Sequence, residues 1–430
     1  MLKLKRIESI LLFLTLLFLP TQFGKHFWPA FSYIYSLKID YLSPTFYFWD
    51  ILVAGLLVVW VLRKPQVNKI ALNLFLFFLF TQILSLLGVG NIGAGLIRLE
   101  QYTIAGFFGI YLASQDFKVL AKRIYLPLSL GVLGEAAISI IQFIKGGTLG
   151  LWILGERSFN LSTPGIAKFD FYGTEFLRPY ATFPHPNVLA GFMLVSFVIL
   201  NVVKDLKINL EILRPPIGGL RMTVAWVLVL LAGLTIFLTM SRTAILAGLI
   251  TLVILLKKKW LIWVGILLII VSPILFTRFS AVFNFDNLTL LRRGELSVSA
   301  LKMFLESPIF GVGLNNFIPA VAGNLITGPS RFLQPVHNII LLALSESGII
   351  GLVGLISLVG FPILSSRRMS GSINNWYRFR CCKTRLIKSG MTILWFIIIF
   401  LGMFDHYFLT LPQGYRLLFL VWGLSFSMLK

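Results

Sequence analysis

The stretch RFLQPVHNIILLALSESGIIG, residues 331–351, joins the longest polar interruption in the chain to an apolar run that begins at His337. The preceding apolar run ends near Phe276. Because apolar runs of this length cross a bilayer as helices, the polar segment between them is predicted to be an extramembrane loop with a catalytic or binding role. We therefore expect residues 278–336 to form a cap loop outside the membrane.

The composition is typical of a polytopic membrane protein and argues against a soluble globular protein. Of the 430 residues, 57% are hydrophobic and 13% are charged, and the mean hydropathy is +0.89. The net charge of +22 falls mostly in short connections between apolar runs, which indicates membrane orientation and not nucleic-acid binding. Cys381 and Cys382 are adjacent, which disfavours a disulfide and fits a reducing cytoplasm.

About twelve apolar runs are long enough to cross a membrane. They lie at residues 7–24, 46–62, 70–88, 100–114, 124–144, 185–203, 222–240, 243–256, 260–277, 337–364, 390–404 and 414–429. The first run has no small-residue cleavage site after it, so we expect a retained span. The predicted fold is an all-α membrane protein of about twelve transmembrane helices. It forms one integral domain over residues 1–430, with short helices in the cap loop between the ninth and tenth spans.

Lysine and arginine concentrate in alternate connections, most strongly at residues 257–259 and 367–388. Since cytoplasmic loops carry such an excess, both termini are predicted to be cytoplasmic. This orientation places residues 25–45, residues 145–184 and the cap loop on the outer side of the membrane. It also places every histidine at the outer end of a span, namely His26, His185, His337 and His406.

A helix is predicted within the cap loop, over residues 293–306. Its polar stripe comprises Glu295, Ser299, Lys302 and Glu306. Arg293 falls on the opposite, apolar side, where a cation is costly unless an anion meets it, so Arg293 is a candidate ligand for a buried anion. Arg292 points close to the polar stripe, where water can solvate it. Alternatively, the helix starts after Arg293 and leaves both arginines in a solvated turn.

Arginine and histidine are better candidates for chemistry than the carboxylates. Arg242 lies in a short outer turn between two apolar helices, so it is either an interfacial side chain or, with Arg293, part of a clamp for a diphosphate. His337 follows Pro335 at the rim of the tenth span, so it is either an interfacial side chain or an acceptor for a hydroxyl proton. The carboxylates of the outer segments are scattered, so we expect no metal site and no cofactor.

Some polar residues at span ends and within spans have a simpler interpretation. Asn338 suits a helix N-cap, with orientation of a ligand as the alternative, and His185 and Asn187 suit a helix N-terminus, with contact to substrate as the alternative. Glu346 lies on nearly the opposite face of its helix from His337, so helix packing or a hydrogen bond between helices is its expected role. Glu135 and Asp50 are intramembrane acids without an assigned role.

Five stretches, from the sixth predicted span to the last, form a specific ordered set. They are PNVLAGF (186–192), SRTAILAG (241–248), RGELSVSALKMFLESPIFGVGLNNF (293–317), HNIILLALSESGIIGL (337–352) and DHYFLTLPQG (405–414). In order and spacing they resemble the O-antigen ligase and polymerase family of bacterial membrane glycosyltransferases. The first five spans resemble that family only in general character.

The resemblance implies a metal-independent enzyme of the bacterial cytoplasmic (inner) membrane. Such an enzyme transfers a glycan from undecaprenyl diphosphate to an acceptor hydroxyl on a lipid, a protein or a glycan at the outer side of the membrane. The family's two arginines fall on Arg242 and Arg293, which would bind the diphosphate, and its histidine falls on His337, which would activate the acceptor. Ser297 stands where the family often has an aromatic residue, so Arg292 is the alternative to Arg293.

Two other functions fit the same sequence features. A polymerase would extend the same lipid-linked glycan, and a transporter would move it across the membrane. Transporters commonly carry internal repeats and charged residues along a membrane path, and no such repeat is visible in this chain. The expected partners are the lipid-linked donor, the acceptor and membrane lipids, with no nucleic acid.

Overall fold

Helices make up most of the protein in a computed structural model that describes residues 2–204, 219–256, 258–280, 288–322, 333–368 and 382–429. The helices are α1 (Leu2–Leu17), α2 (Phe48–Leu62), α3 (Lys69–Leu84), α4 (Ile92–Ser114), α5 (Phe117–Lys145), α6 (Pro186–Lys204), α7 (Gly219–Leu238), α8 (Arg242–Leu255), α9 (Lys258–Ser280), α10 (Leu288–Glu306), α11 (Phe317–Ala322), α12 (Ile339–Arg368), α13 (Cys382–Gly402), α14 (Tyr407–Thr410) and α15 (Pro412–Met428). Each predicted apolar run overlaps one of these helices, although the first run, predicted over residues 7–24, continues past α1, which ends at Leu17. In the described ranges, the cap loop contributes α10 and α11.

Five helices within the described ranges are long and apolar enough to cross a membrane. They are Lys69–Gly88, Phe117–Lys145, Pro186–Val203, Trp260–Ser280 and Ile339–Ser365. Shorter apolar helices lie at Phe48–Leu62, Val227–Leu238, Arg242–Leu255 and Gly390–Gly402. None of the apolar window in Trp260–Ser280 is buried within the protein, so its side chains have a surface suited to lipid. The count of about twelve spans stays a prediction.

Three short antiparallel strand pairs, two of them hairpins, depart from the predicted all-α fold. The strands are β1 (Gly24–His26), β2 (Tyr33–Ile34), β3 (Leu37–Lys38), β4 (Thr45–Tyr47), β5 (Lys168–Phe171) and β6 (Thr174–Leu177). They form the antiparallel pairs β1–β4, β2–β3 and β5–β6. The strand pairs occur in two of the segments predicted to lie outside the membrane, where antiparallel pairing satisfies backbone groups that are not helical.

Some predicted features lie outside the described residues. They include Lys257 and residues 369–381, which contain Cys381 and much of the basic cluster. Residues 281–287 and 323–332 of the cap loop are also outside the description.

The chain divides into two compact units. Unit 1 consists of Met1–Leu19, Gly24–Pro127 and Arg292–Lys430, and unit 2 consists of Pro20–Phe23 and Leu128–Leu291.

Helix α15 forms the centre of unit 1. All its residues from Pro412 to Ser427 are buried, and its main neighbour is α4. The two helices meet at glycines, because a Cβ atom on Gly423 would lie 2.5 Å from the carbonyl oxygen of Gly109. Small residues therefore allow the close backbone contact that is typical of helix pairs in membranes.

A kink in α12 connects this helix to the end of α10 within unit 1. Gly348 has φ +61° and ψ −162°, a conformation that glycine alone adopts readily. The kink leaves the carbonyl oxygens of Ser345 and Glu346 to accept hydrogen bonds from the backbone N–H groups of Val312 and Gly313, each at 2.9 Å. Residues 312 and 313 are thus joined to α12 by backbone hydrogen bonds.

Unit 2 contains α6 packed against α7 and α8, and a small apolar cluster in the segment between α5 and α6. The cluster consists of Phe159, Leu177 and Tyr180. Burial raises the pKa of the Tyr180 phenol, whose oxygen accepts a hydrogen bond from the backbone N–H of Ala167 at 2.9 Å. This packing gives the predicted outer segment at residues 145–184 an ordered structure of its own.

Candidate functional site

Two predicted site residues of unit 1 contact the same short segment, residues 403–406, between α13 and α14. The Nη1 atom of Arg293 lies 3.5 Å from the carbonyl oxygen of Phe404. The Nδ1 atom of His337 lies 3.5 Å from Oδ1 of Asp405. Arg293 and His337, which are far apart in the sequence, therefore lie at one segment of the chain.

His337 lies immediately before α12, and its neighbours fix its position. Pro335 and Val336 are buried, and the side-chain oxygen of Asn338 accepts hydrogen bonds from the first N–H groups of α12, at Ile340 and Leu341. Asn338 thus serves as the predicted N-cap. Its amide also donates to the carbonyl oxygen of Met403 at 3.1 Å, which ties the start of α12 to the 403–406 segment.

Asp405 and His406 are buried and lie against His337. The imidazole centroids of His337 and His406 are 5.1 Å apart, and Nε2 of His406 is 4.0 Å from Oδ1 of Asp405. Among the described residues, His337, Asp405 and His406 offer ligand atoms that all lie within 4.8 Å of one another. We call these three residues the His–Asp–His cluster. Metal binding was not expected from the sequence, in which the acids are scattered.

Buried side chains of α4 support the segment that carries this cluster. The guanidinium of Arg98 donates to the carbonyl oxygen of Thr410 at 2.6 Å and to the side-chain oxygen of Asn315 at 3.1 Å. The hydroxyl of Tyr102 donates to the carbonyl oxygen of Leu409 at 2.8 Å. Because both acceptors lie at the end of α14, α4 holds the short helix whose N-cap is His406.

Tyr407 is buried beside the cluster and carries a proton at neutral pH. Burial, and then the negative charge of Asp405, raise the pKa of the Tyr407 phenol well above its usual range. The phenol is therefore a neutral group in this site and not a base.

Helix α10 presents Arg293 on its buried side, as the helical period predicts. Leu296, Ala300 and Met303 are buried on the same face, while Lys302 is exposed. The helix begins at Leu288, so the alternative in which both arginines lie in a turn before the helix is wrong. Arg292 is half-buried, like Arg293.

Arg242 belongs to unit 2 and is the first residue of α8. The turn before it contains Met240 with φ +49°, an uncommon conformation for a residue other than glycine. Two further arginines bind this turn: Arg178 donates to the carbonyl oxygen of Thr239 at 2.6 Å, and Arg278 donates to that of Met240 at 3.0 Å. The turn therefore concentrates cations. The convergence of Arg242 with Arg293 and His337 stays a prediction.

The remaining polar candidates have structural partners. Asp50 accepts a hydrogen bond from the backbone N–H of Tyr47 and lies 3.9 Å from the buried guanidinium of Arg416. The carboxylate of Glu135 accepts two hydrogen bonds from Thr182.

Two more candidates also bind backbone groups. Glu346 accepts a hydrogen bond from the backbone N–H of Phe317 at 3.2 Å, which supports its predicted packing role. His185 accepts one from the backbone N–H of Asn187 at the start of α6. Glu346 and His185 thus each have a hydrogen-bond partner within the protein.

Asp405 and His406 were not among the predicted site residues. One signal was present: an acid and a histidine are adjacent directly after an apolar run, within one of the five motifs. Because they lie far from His337 along the chain, no local pattern indicated that the three residues are close together in space. Arg178 and Arg278 were also missed, because nothing in their local sequence relates them to the turn at Arg242.

One comparison with known proteins bears on the site. A family model described as O-antigen ligase matches residues 227–356. The matched segment contains Arg242, Arg292, Arg293 and His337, and it ends before Asp405. No curated protein matches the chain significantly. The family match confirms the resemblance inferred from the motifs.

Proposed function

On the premise that residues 227–356 assign the chain to the O-antigen ligase family, we propose that it transfers a glycan from undecaprenyl diphosphate to an acceptor hydroxyl outside the cytoplasmic membrane. The observation that carries this proposal is the contact of Arg293 and His337 with one segment, residues 403–406. A guanidinium and an imidazole at one place are suited to a reaction that releases a diphosphate and removes a hydroxyl proton.

His337 is the proposed base. In the proposed tautomer the ring proton is on Nδ1, which faces the carboxylate of Asp405 at 3.5 Å, and this negative charge favours the imidazolium that forms on proton transfer. Nε2 of His337 then accepts the proton of the acceptor hydroxyl as the acceptor oxygen attacks the anomeric carbon of the donor glycan. The bond from that carbon to the diphosphate oxygen breaks, and its electron pair leaves with the diphosphate. Asp405 is a positioning residue in this scheme.

Arg293 and Arg242 are the proposed diphosphate ligands, with Arg292 as the alternative to Arg293. A guanidinium stays charged at any physiological pH and donates two parallel hydrogen bonds to phosphate oxygens, so no metal is needed in this step. The contacts of Arg178 and Arg278 with the turn before Arg242 support a preorganised cationic surface. Such groups stabilise negative charge as it develops on the leaving diphosphate.

Burial of the acidic partner favours transfer over hydrolysis. The side chain of Asp405 is 10% exposed and that of His337 is 16% exposed. A base that faces little water activates the bound acceptor in preference to solvent. The proposal also includes a multi-pass protein of the inner membrane with both termini in the cytoplasm.

The test is glycan transfer by the purified protein from undecaprenyl-diphosphate glycan to a panel of lipid, peptide and glycan acceptors, with and without a chelator. We expect His337→Ala and Arg293→Ala to insert and fold normally but to abolish transfer, and the same variants in cells to accumulate lipid-linked precursor. Lys302→Ala, on the exposed face of α10, is the matched control and should transfer normally. Normal transfer by both site variants, or a strict requirement for a divalent metal, would refute the assigned roles.

The acceptor panel also separates this function from its alternatives. Elongation of the lipid-linked glycan itself would indicate a polymerase. Movement of the lipid-linked glycan across a vesicle membrane without a change in the glycan would indicate a transporter.

A further inference from the structure

The His–Asp–His cluster combines two imidazoles and one carboxylate around a common point. From its geometry and donor set we propose that His337, Asp405 and His406 bind a divalent transition-metal ion of the zinc type, and that the bound ion switches off the base. The binding half of this proposal stands on the cluster alone. The inhibitory half rests on the proposed function.

The distances suit an ion between the ligands better than direct hydrogen bonds. The separation of 3.5 Å between Nδ1 of His337 and Oδ1 of Asp405 is longer than a hydrogen bond of this type. Zinc–ligand bonds of about 2.0–2.2 Å at tetrahedral angles place ligand atoms about 3.4 Å apart. The separation of 4.0 Å between Oδ1 of Asp405 and Nε2 of His406 requires a shift of about half an ångström to reach the same value. The ligand atoms of the two imidazoles lie within 4.8 Å of each other and must approach by up to about 1.4 Å, which side-chain rotation of His337 and His406 would supply on binding.

The buried environment of His337 is also consistent with a ligand. Its Nδ1 atom is buried and has no hydrogen-bond partner among the described residues. A buried polar atom without such a partner is costly, and in the other tautomer, with the ring proton on Nε2, a bound cation would satisfy the lone pair of Nδ1.

Thr410 orients His406 for metal binding. The hydroxyl of Thr410 donates to the carbonyl oxygen of His406 at 3.2 Å, so its oxygen is available to accept the Nδ1–H of that imidazole at 2.6 Å. This tautomer places the lone pair on Nε2, the atom nearer Asp405. A metal-binding histidine is typically held in this way by a hydrogen bond from its other ring nitrogen.

The donor set indicates the metal class. Two imidazoles and a carboxylate form the protein ligands of many zinc sites that keep one position open. Among divalent first-row ions, zinc and copper lie at or near the top of the affinity order for such donors. Zinc, with cobalt as its spectroscopic substitute, is therefore the probe for this site.

A metal on Nδ1 of His337 would stop the reaction in a specific way. The neutral imidazole then carries its proton on Nε2, which can no longer accept the proton of the acceptor hydroxyl. The ion would also bind the carboxylate of Asp405, which could then no longer stabilise a positive charge on the imidazole of His337. Occupancy and transfer should therefore exclude each other.

The experiment measures binding of Co²⁺ and Zn²⁺ to the full chain in detergent, without a polyhistidine tag. The background is the Cys381→Ser/Cys382→Ser variant, because adjacent thiols also bind zinc. We expect about one ion per chain, visible bands of tetrahedral Co²⁺, and X-ray absorption at the zinc edge with imidazole and oxygen ligands. Binding does not depend on transfer, so its result stands even where the proposed enzymatic activity fails.

Variants separate the cluster from the other histidines. His406→Gln should weaken Zn²⁺ binding by more than about 100-fold, and Thr410→Val, which removes the outer hydrogen bond, by about 10–100-fold. His26→Gln is the control, because its imidazole lies in β1 against Thr45 and Ser43. Thermal melting checks that each variant is folded.

Inhibition is measured as the ratio of transfer rates with and without Zn²⁺. We expect Zn²⁺ to abolish transfer by the background protein, a chelator to restore it, and His26→Gln to behave in the same way. No saturable Co²⁺ or Zn²⁺ binding, or binding that a folded His406→Gln variant retains unchanged, would overturn the metal site. Full transfer by protein with one bound ion would overturn the inhibitory role.

Discussion

Gly348 provides a sharp test of how the protein positions the cap loop on α12. In Gly348→Ala, the new Cβ atom would lie 2.3 Å from the carbonyl oxygen of Ile309, which is far inside van der Waals contact. The backbone at this position has φ +61° and ψ −162°, a region that residues with a side chain avoid. Either the helix straightens or the chain at Ile309 moves away.

The expected loss of stability follows from two effects. A residue other than glycine in this backbone conformation costs about 1–3 kcal/mol. Movement of the chain also weakens three backbone hydrogen bonds of 2.9 Å, which join residues 308, 312 and 313 to α12, and each contributes about 0.5–1.5 kcal/mol. We therefore expect a decrease in the free energy of unfolding of about 3 kcal/mol or more.

The measurement is unfolding by SDS in mixed micelles, followed by tryptophan fluorescence. Gly360→Ala is the matched control because Gly360 lies in the same helix and its new Cβ would meet only Ile356, at 3.9 Å. Alanine there should leave stability unchanged or raise it by up to about 1 kcal/mol. Equal stability of Gly348→Ala and Gly360→Ala would refute the account of the kink.

Three other predictions concern the site and its support. Asp405→Asn keeps the size of the side chain but removes the charge beside His337. The single-turnover transfer rate should therefore fall by about 100-fold or more while donor binding is retained, and an unchanged rate would exclude the positioning role. Arg293→Lys keeps the charge but loses the planar fork, so donor affinity should fall by about tenfold or more in a binding titration, whereas Lys302→Ala should bind normally. Arg98→Met removes the charged donor that holds the end of α14. The free energy of unfolding in SDS should therefore decrease by about 3 kcal/mol, and a decrease of less than about 1 kcal/mol would contradict the role of this contact.

Local patterns predicted the helices and the side of α10 that carries Arg293. A membrane helix satisfies its own backbone hydrogen bonds, so a long apolar run is enough to specify one. The helical period likewise depends only on neighbouring residues, and it correctly placed Arg293 with the buried face of α10.

The strand pairs and the kink in α12 are not apparent from local patterns. A two-residue strand such as Tyr33–Ile34 exists only because a partner strand pairs with it. In the sequence, Gly348 is one glycine within an apolar run and gives no sign of a kink. Its conformation depends on the backbone at Ile309, which packs against it.

The amino-acid pattern was sufficient to predict a membrane protein, to predict its helices and to select His337 and Arg293 as candidate site residues. Hydrophobicity, helical period and charge are properties of short segments. The grouping of His337 with Asp405 and His406 arose from the packing of helices in three dimensions. Those residues come together because Asn338 binds the chain at Met403 and because Arg98 and Tyr102 of α4 hold α14. Contacts between distant parts of a chain depend on the packing of whole helices, which no single segment encodes.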